Sequence, residues 1–139
     1  MRDQRPSATT LRVLIADDNG DTREMYALYL NMVGYSVDTA EDGHEAILKA
    51  RALRPDLVVM DLQMPKLDGF EAALQIRRLP ELGHVPIVAV TASAMVGDRD
   101  KILARGFDGY IAKPVTPETF VTQVESFVRD TRDPGAPPQ

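Results

Sequence analysis

Several apolar runs in this chain end on polar side chains that suit metal or phosphoryl chemistry. One run ends on Asp17 and Asp18, and later runs end on Asp61, Thr91 and Lys113. The carboxyl ends of strands in an open parallel sheet converge on one crevice, which is where ligands bind. We therefore expect these side chains to lie together. Three carboxylates, a hydroxyl and an ammonium suit a divalent cation and a phosphoryl group.

The acidic residues of this set favour a hard cation. Asp17, Asp18 and Asp61 would repel one another, which raises the cost of ionising all three. A divalent cation relieves this repulsion, and Mg²⁺ prefers oxygen ligands while keeping several waters. We expect Mg²⁺ at this site, with Mn²⁺ as the alternative ion.

The composition argues against several other kinds of function. The chain of 139 residues has a net charge of −5, whereas a general nucleic-acid binder needs a dense basic face. It contains no cysteine, which excludes disulfides, thiolate metal sites and cysteine nucleophiles. Residues 1–10 lack the apolar core of a signal peptide, and no stretch approaches the roughly 20 apolar residues of a membrane span. We expect a cytoplasmic protein.

The elements that position these residues follow an α/β pattern, because apolar runs alternate with amphipathic stretches. Strands are expected at residues 11–16, at 35–39, in a segment that reaches Asp61, at 85–90 and at 109–112. A helix is expected after each strand. The pattern predicts one domain over residues 11–129, a disordered N-terminal tail over 1–10 and a disordered, proline-rich tail over 130–139.

The spacing of apolar residues predicts the buried face of each helix. The faces expected to point inward are Met25, Leu28, Tyr29 and Met32 in the first helix, Ala46, Ala50 and Leu53 in the second, Phe70, Ala73 and Leu74 in the third, Met95, Ile102 and Leu103 in the fourth, and Phe120, Val124, Phe127 and Val128 in the fifth. The fourth helix also contains Gly97, so we expect it to be the least firmly packed element.

Over residues 11–129 the chain resembles the receiver domain of two-component response regulators. The matching motifs are Asp17-Asp18, the segment 61–69 that begins with Asp61, Thr91-Ala92 and Lys113-Pro114. Their order and their places at strand ends make the match specific. The resemblance implies a flavodoxin-like, doubly wound, five-stranded parallel sheet of order 2-1-3-4-5 with five helices. The alternating pattern independently suggests a doubly wound fold.

The resemblance also implies how a metal would be held. Asp18 and Asp61 would be direct ligands, and Asp17 would act largely through water. The backbone carbonyl of Gln63 would complete the protein's share of the ligands.

The resemblance further implies the phosphoryl chemistry. Asp61 would be the nucleophile and the phosphorylation site, with Thr91 and Lys113 each binding one phosphoryl oxygen. Tyr110 would be a switch whose ring turns inward when Thr91 moves toward the phosphoryl group. The Lys113-Pro114 bond is expected to be cis, since receivers use that bend to aim the lysine.

These roles predict a signalling module that receives its phosphoryl group from a histidine kinase or a histidine phosphotransfer protein. The module would catalyse its own phosphorylation and dephosphorylation and turn over no metabolic substrate, so it is not an enzyme in that sense. A stand-alone receiver would signal through phosphorylation-controlled contact with a downstream protein at the fourth helix, fifth strand and fifth helix. No direct contact with nucleic acid or membrane is expected. The chain could equally be part of a longer protein.

Other functions and local roles have to be weighed against this interpretation. A phosphatase of the haloacid dehalogenase type would need a second acid two positions after its nucleophile, where Gln63 stands. A pseudo-receiver that only docks to partners would typically lack part of the acidic site. Asp68 precedes Gly69 and is interpreted as a helix cap. His44 and His84 lie in turn-like segments and are not expected to bind metal.

Overall fold

The structure, a computed structural model, describes residues 11–64, 67–92 and 96–132, without the side chains at 96–97 and 129–132. Its strands are β1 (Arg12–Ala16), β2 (Ser36–Ala40), β3 (Leu57–Asp61), β4 (Ile87–Thr91) and β5 (Gly109–Ala112). Its helices are α1 (Gly20–Met32), α2 (Gly43–Leu53), α3 (Gly69–Arg77), α4 (Val96–Ala104) and α5 (Pro117–Arg132). A short 3₁₀ turn, Pro80–Leu82, which the sequence pattern did not predict, precedes β4.

The sheet confirms the predicted fold class. All neighbouring strands are parallel, in the order β2-β1-β3-β4-β5. Every residue of β3 and β4 is buried, as a continuous apolar run in the middle of a parallel sheet requires. Asp61 pairs in register with Val90, and Thr91 pairs with Ala112. The polar residues at the strand ends therefore share one edge of the sheet.

Two apolar layers cover the sheet, because side chains alternate between its faces along each strand. Leu14, Val58 and Ile87 belong to one cluster, which includes residues of α2 and α3. Val13 and Val59 belong to the other cluster, which includes residues of α1 and α5. The site at the strand ends thus stands on a core that is packed on both faces.

The predicted inner face of α1 was wrong in part, although Met25 and Tyr29 pack against the core as predicted. Leu28 and Met32 are 56% and 74% exposed, and the buried residues are Tyr26 and Leu30. The reason is a contact with α5, where the Tyr26 ring stacks on Phe120 with their centroids 4.4 Å apart. Apolar residues occur around much of α1, so periodicity alone does not determine which stripe faces inward.

The predicted inner face of α3 was also wrong in part. Leu74 is 38% exposed, whereas Ala72 and Ile76 are fully buried and Ala73 is buried as predicted. Small residues select this face because α3 begins against the end of β3. A β-carbon at Gly69 would lie only 2.8 Å from the Cα of Leu62.

The predicted inner face of α4 was wrong at Leu103. Ile102 is buried as expected, but Leu103 is 47% exposed. Ile102 is also the one buried side chain among residues 98–104 of this helix. Met95 lies outside the described residues.

Several local predictions can be compared with the described backbone. Asp68 caps α3 as predicted, accepting a hydrogen bond from the Glu71 N–H. Asn19 caps α1 in the same way, accepting from the Thr22 N–H. The Lys113-Pro114 bond is cis, as predicted. Helix α5 continues to Arg132, three residues beyond the predicted domain boundary. The prediction of a disordered tail over 130–139 was therefore wrong for residues 130–132, which are helical. The predicted tail 1–10 and residues 133–139 lie outside the described residues.

Candidate functional site

The carboxyl ends of β1 and β3 bring three carboxylates together. Oxygen atoms of Asp17, Asp18 and Asp61 lie within 4.8 Å of one another. Asp17 and Asp61 are 1% and 3% exposed, while Asp18 lies at the surface. The cluster combines two buried acids with one that solvent reaches.

Asp17 has the least favourable environment of the three. Its Oδ1 accepts a hydrogen bond from the Asn19 N–H at 2.8 Å, but its buried Oδ2 has no hydrogen-bond partner within the described chain. Burial raises the pKa of the Asp17 carboxyl, the Asn19 N–H opposes the shift, and the charge of Asp61 raises it further. An unpaired buried carboxylate oxygen facing two other carboxylates fits a divalent cation, which would supply the missing positive charge.

Asp61 is held at both of its carboxylate oxygens. The Gln63 N–H donates to Oδ1 at 3.0 Å, and the Lys113 Nζ lies 3.5 Å from Oδ2. The side chain of Gln63 is exposed, so its contact with Asp61 runs through the backbone. The two contacts hold the Asp61 carboxylate in a fixed orientation at the end of β3.

Lys113 and Thr91 are held side by side at the ends of β5 and β4. The Lys113 backbone N–H donates to the Thr91 carbonyl oxygen at 2.8 Å. Thr91 is only 6% exposed, whereas the neighbouring Ala92 is exposed and offers no bulk above it. An ammonium and a hydroxyl therefore lie at the same edge of the sheet as the acid cluster.

Tyr110 lies on β5 beside α4. Its ring is half-buried and packs against the cluster of the α2 and α3 face. The Arg99 guanidinium of α4 lies 5.8 Å from the ring centroid, which is within the range of a cation–π contact. A cavity of about 230 Å³ lies between Thr91 and the α4 residues Asp98 and Ile102.

Two residues near the acids were not singled out from the sequence. Tyr26 is buried, and burial together with the charges of Asp17 and Asp61 raises its pKa to about 12. Arg23 donates from Nη1 to the backbone carbonyl of Asp17 at 2.8 Å. The position of Arg23 on the first turns of a helix after an acidic pair was the available signal for its contact with that loop.

The other residues weighed from the sequence lie apart from this chemistry or outside the described chain. His44 and His84 are exposed and are not among the residues of the acid cluster. Pro65 and Lys66 of the motif after Asp61 lie outside the described residues. Within the described range, no helix has the length and apolar character to cross a membrane.

Comparison with known proteins agrees with this geometry. Residues 13–125 match the family model of the response regulator receiver domain. The chain therefore belongs to the receiver domain family of two-component signalling. Receiver domains are signalling proteins that bind Mg²⁺ through an acidic cluster of the kind formed by Asp17, Asp18 and Asp61.

Individual relatives match a similar share of the chain. The polar-differentiation response regulator DivK of Brucella anthropi is 36% identical, over 85% of this chain and 96% of DivK. Hybrid signal transduction histidine kinase I of Dictyostelium discoideum is 37% identical over 87% of this chain, which spans only 8% of that kinase. A receiver domain of the Pseudomonas aeruginosa sensor histidine kinase PA1611, solved with magnesium in its active site cleft, is 31% identical. It superposes with a TM-score of 0.79, over 87% of this chain and 99% of that domain.

Proposed function

We propose that this chain is a stand-alone, cytoplasmic response regulator that accepts a phosphoryl group on Asp61 in a Mg²⁺-dependent reaction. The donor would be a histidine kinase or a histidine phosphotransfer protein. The phosphorylated chain would then signal through contact with a downstream protein. DivK, which matches over nearly its full length, is described as a response regulator and supports this proposal.

The observation that carries the proposal is the position of Asp61 at the end of the central strand. It lies within 4.8 Å of two other acids, and the Lys113 Nζ lies 3.5 Å from its Oδ2. A buried carboxylate would normally pair with one cation. Among the described residues, the Lys113 ammonium faces a cluster of three carboxylates, so this set retains an excess of negative charge that suits a divalent ion.

In the proposed reaction, a carboxylate oxygen of Asp61 attacks the phosphorus of a phosphohistidine. The new O–P bond forms as the P–N bond to the donor breaks, and the imidazole nitrogen leaves with the electron pair. Asp17, Asp18, Asp61 and the Gln63 carbonyl would hold Mg²⁺, which supplies positive charge to the phosphoryl oxygens when bound. Lys113 would neutralise a further oxygen.

Thr91 and Tyr110 would convert the new charge into a change of surface. The Thr91 hydroxyl would bind a phosphoryl oxygen and move toward Asp61. The cavity of about 230 Å³ between Thr91 and α4 gives α4 room to follow. We propose that the downstream partner binds the face formed by α4, β5 and α5, which carries these elements.

Phosphorylation of Asp61→Asn tests the assignment. The wild type should gain the mass of one phosphoryl group when incubated with acetyl phosphate and Mg²⁺, and Asp61→Asn should not. Asp56→Asn is the matched control, because Asp56 is an exposed residue of the same type next to the opposite end of β3. It should be phosphorylated like the wild type.

Equal mass gain in wild type and Asp61→Asn would disprove the proposed acceptor. The phosphatase alternative predicts a different result, namely steady release of phosphate from external phosphoesters. That alternative lacks support at the position where it needs an acid, since Gln63 is neutral and directs its backbone N–H toward Asp61.

A further inference from the structure

Arg23 makes a specific contact with the loop that carries two of the acids. It lies in the first turns of α1 and is half-buried. Its Nη1 donates to the backbone carbonyl of Asp17 at 2.8 Å. The residue that caps α1 also binds the Asp17 side chain, because the Asn19 N–H donates to Oδ1. The Asp17 main chain and side chain are thus both held from α1.

The carbonyl that Arg23 binds belongs to the peptide between Asp17 and Asp18. Because a peptide unit is planar, fixing the direction of its oxygen also fixes the direction of its N–H and of the next Cα. This restricts ψ of Asp17 and φ of Asp18 together. The orientation of Arg23 therefore bears on where both carboxylates point.

Asp18 depends on this restriction more than its neighbours do. Asp61 is held by two hydrogen bonds and Asp17 by one. The Asp18 carboxylate is exposed, and within the described residues the hydrogen bonds to the cluster are made by Asp17 and Asp61. Its backbone is what directs it toward the cluster.

We propose that Arg23 is a positioning residue for the metal site, which fixes the Asp17–Asp18 peptide so that both carboxylates converge on Asp61. The inference rests on the Mg²⁺ site proposed above. Arg23 acts through the backbone, as groups outside the ligand set commonly do when they orient metal ligands.

The test compares Mg²⁺ affinity, measured by isothermal titration, in the wild type, Arg23→Met and Arg23→Lys. Removing the contact should raise the Kd about tenfold, at the lower end of the usual effect of such orienting residues. Lysine retains one donor, so Arg23→Lys should lie between the wild type and Arg23→Met.

Arg12→Met is the matched control. Arg12 also donates from Nη1 to a backbone carbonyl, that of Leu53, at 2.9 Å, but it lies at the opposite end of β1. Both methionine variants should lose similar thermal stability in EDTA, since each loses one guanidinium–carbonyl hydrogen bond. The Kd for Mg²⁺ should change in Arg23→Met and remain within about twofold of the wild type in Arg12→Met.

Two results would overturn the positioning role. One is an unchanged Kd for Mg²⁺ in folded Arg23→Met. The other is an equal loss of affinity in Arg12→Met. If Arg23→Met does not fold, an unchanged Kd in Arg23→Lys and Arg23→Gln overturns the inference in the same way. Failure of the wild type itself to bind Mg²⁺ would instead refute the proposed metal site, so the two failures are distinguishable.

Discussion

Replacing Asp17 by asparagine should stabilise the metal-free protein, although it removes a residue of the proposed site. The substitution keeps an oxygen that can accept from the Asn19 N–H, a bond of 2.8 Å in the wild type. It replaces the unpaired, buried Oδ2 with the NH₂ group of a neutral amide. The perturbation therefore removes a charge and leaves the shape of the side chain almost unchanged.

The size of the effect follows from the geometry of the cluster. Two unit charges 4.8 Å apart repel by about 3.5 kcal/mol at an effective dielectric constant of about 20. Lys113 offsets part of the repulsion, since its ammonium lowers the pKa of the Asp17 carboxyl. An unsatisfied buried polar group costs about 1–3 kcal/mol. We expect the free energy of unfolding to rise by about 1–3 kcal/mol. Each kcal/mol should raise the Tm by about 4 °C.

The gain should depend on pH with a defined sign. Burial raises the pKa of Asp17 in the folded protein above its ordinary value of 3.8, so the folded state binds this proton more tightly than the unfolded chain does. The stability that the wild type gains from this bound proton is fully present below pH 3.8. It is lost as the pH rises through the pKa of Asp17 in the folded protein. The advantage of Asp17→Asn should therefore be small in acid and full at neutral pH.

Thermal unfolding followed by circular dichroism, in EDTA and in millimolar Mg²⁺, measures both parts of this prediction. Mg²⁺ should raise the Tm of the wild type more than that of Asp17→Asn, because a ligand stabilises the state that binds it. Asp18→Asn is the control, since Asp18 is exposed and its charge is already solvated. A Tm of Asp17→Asn equal to or below that of the wild type in EDTA at neutral pH would refute the reasoning.

Two further predictions concern the switch and the core. In the wild type, beryllofluoride with Mg²⁺ should shift amide NMR signals around Asp61 and in α4 and β5. In Thr91→Ala the shifts around Asp61 should remain, and those in α4 and β5 should be lost. Unmoved α4 and β5 signals in the wild type would contradict the coupling of Thr91 to these elements. Phe120→Ala should lower the free energy of unfolding by about 3–5 kcal/mol, since Phe120 is fully buried and stacks on Tyr26. Leu74→Ala should lower it by under about 1 kcal/mol, because Leu74 is 38% exposed. Urea titration measures both variants, and equal losses would contradict the observed orientation of α3.

The sheet and the residues at its edge could be predicted because both depend on short-range features of the sequence. A buried parallel strand requires a continuous apolar run, and β3 and β4 have such runs. Where the run ends, the next residue must lie at the carboxyl edge. The positions of Asp61 and Thr91 follow from this rule without any knowledge of packing between helices.

The orientation of the helices could not be predicted in the same way, because it depends on contacts between distant segments. In α1, the stack of Tyr26 on Phe120 determines which side faces inward, and Phe120 is far away in the sequence. In α3, the close approach of Gly69 to Leu62 selects the alanine face. Arg23 was missed for a related reason. Its place shortly after the acidic pair is visible in the sequence, but its contact with the Asp17 carbonyl depends on the folded loop.

The packing on the two sides of the sheet also bears on where a signal from Asp61 would travel. On one side, α1 and α5 are joined by the buried pair Tyr26 and Phe120, and moving them would break that contact. On the other side, Ile102 is the one buried side chain among residues 98–104 of α4, and a cavity of about 230 Å³ lies between it and Thr91. A movement of Thr91 toward Asp61 should therefore displace α4 at a lower cost than α1. New bonds formed only in the proposed phosphorylated state would supply the differential free energy that such a population shift requires. About 1–3 kcal/mol would be enough to couple the shift to a partner.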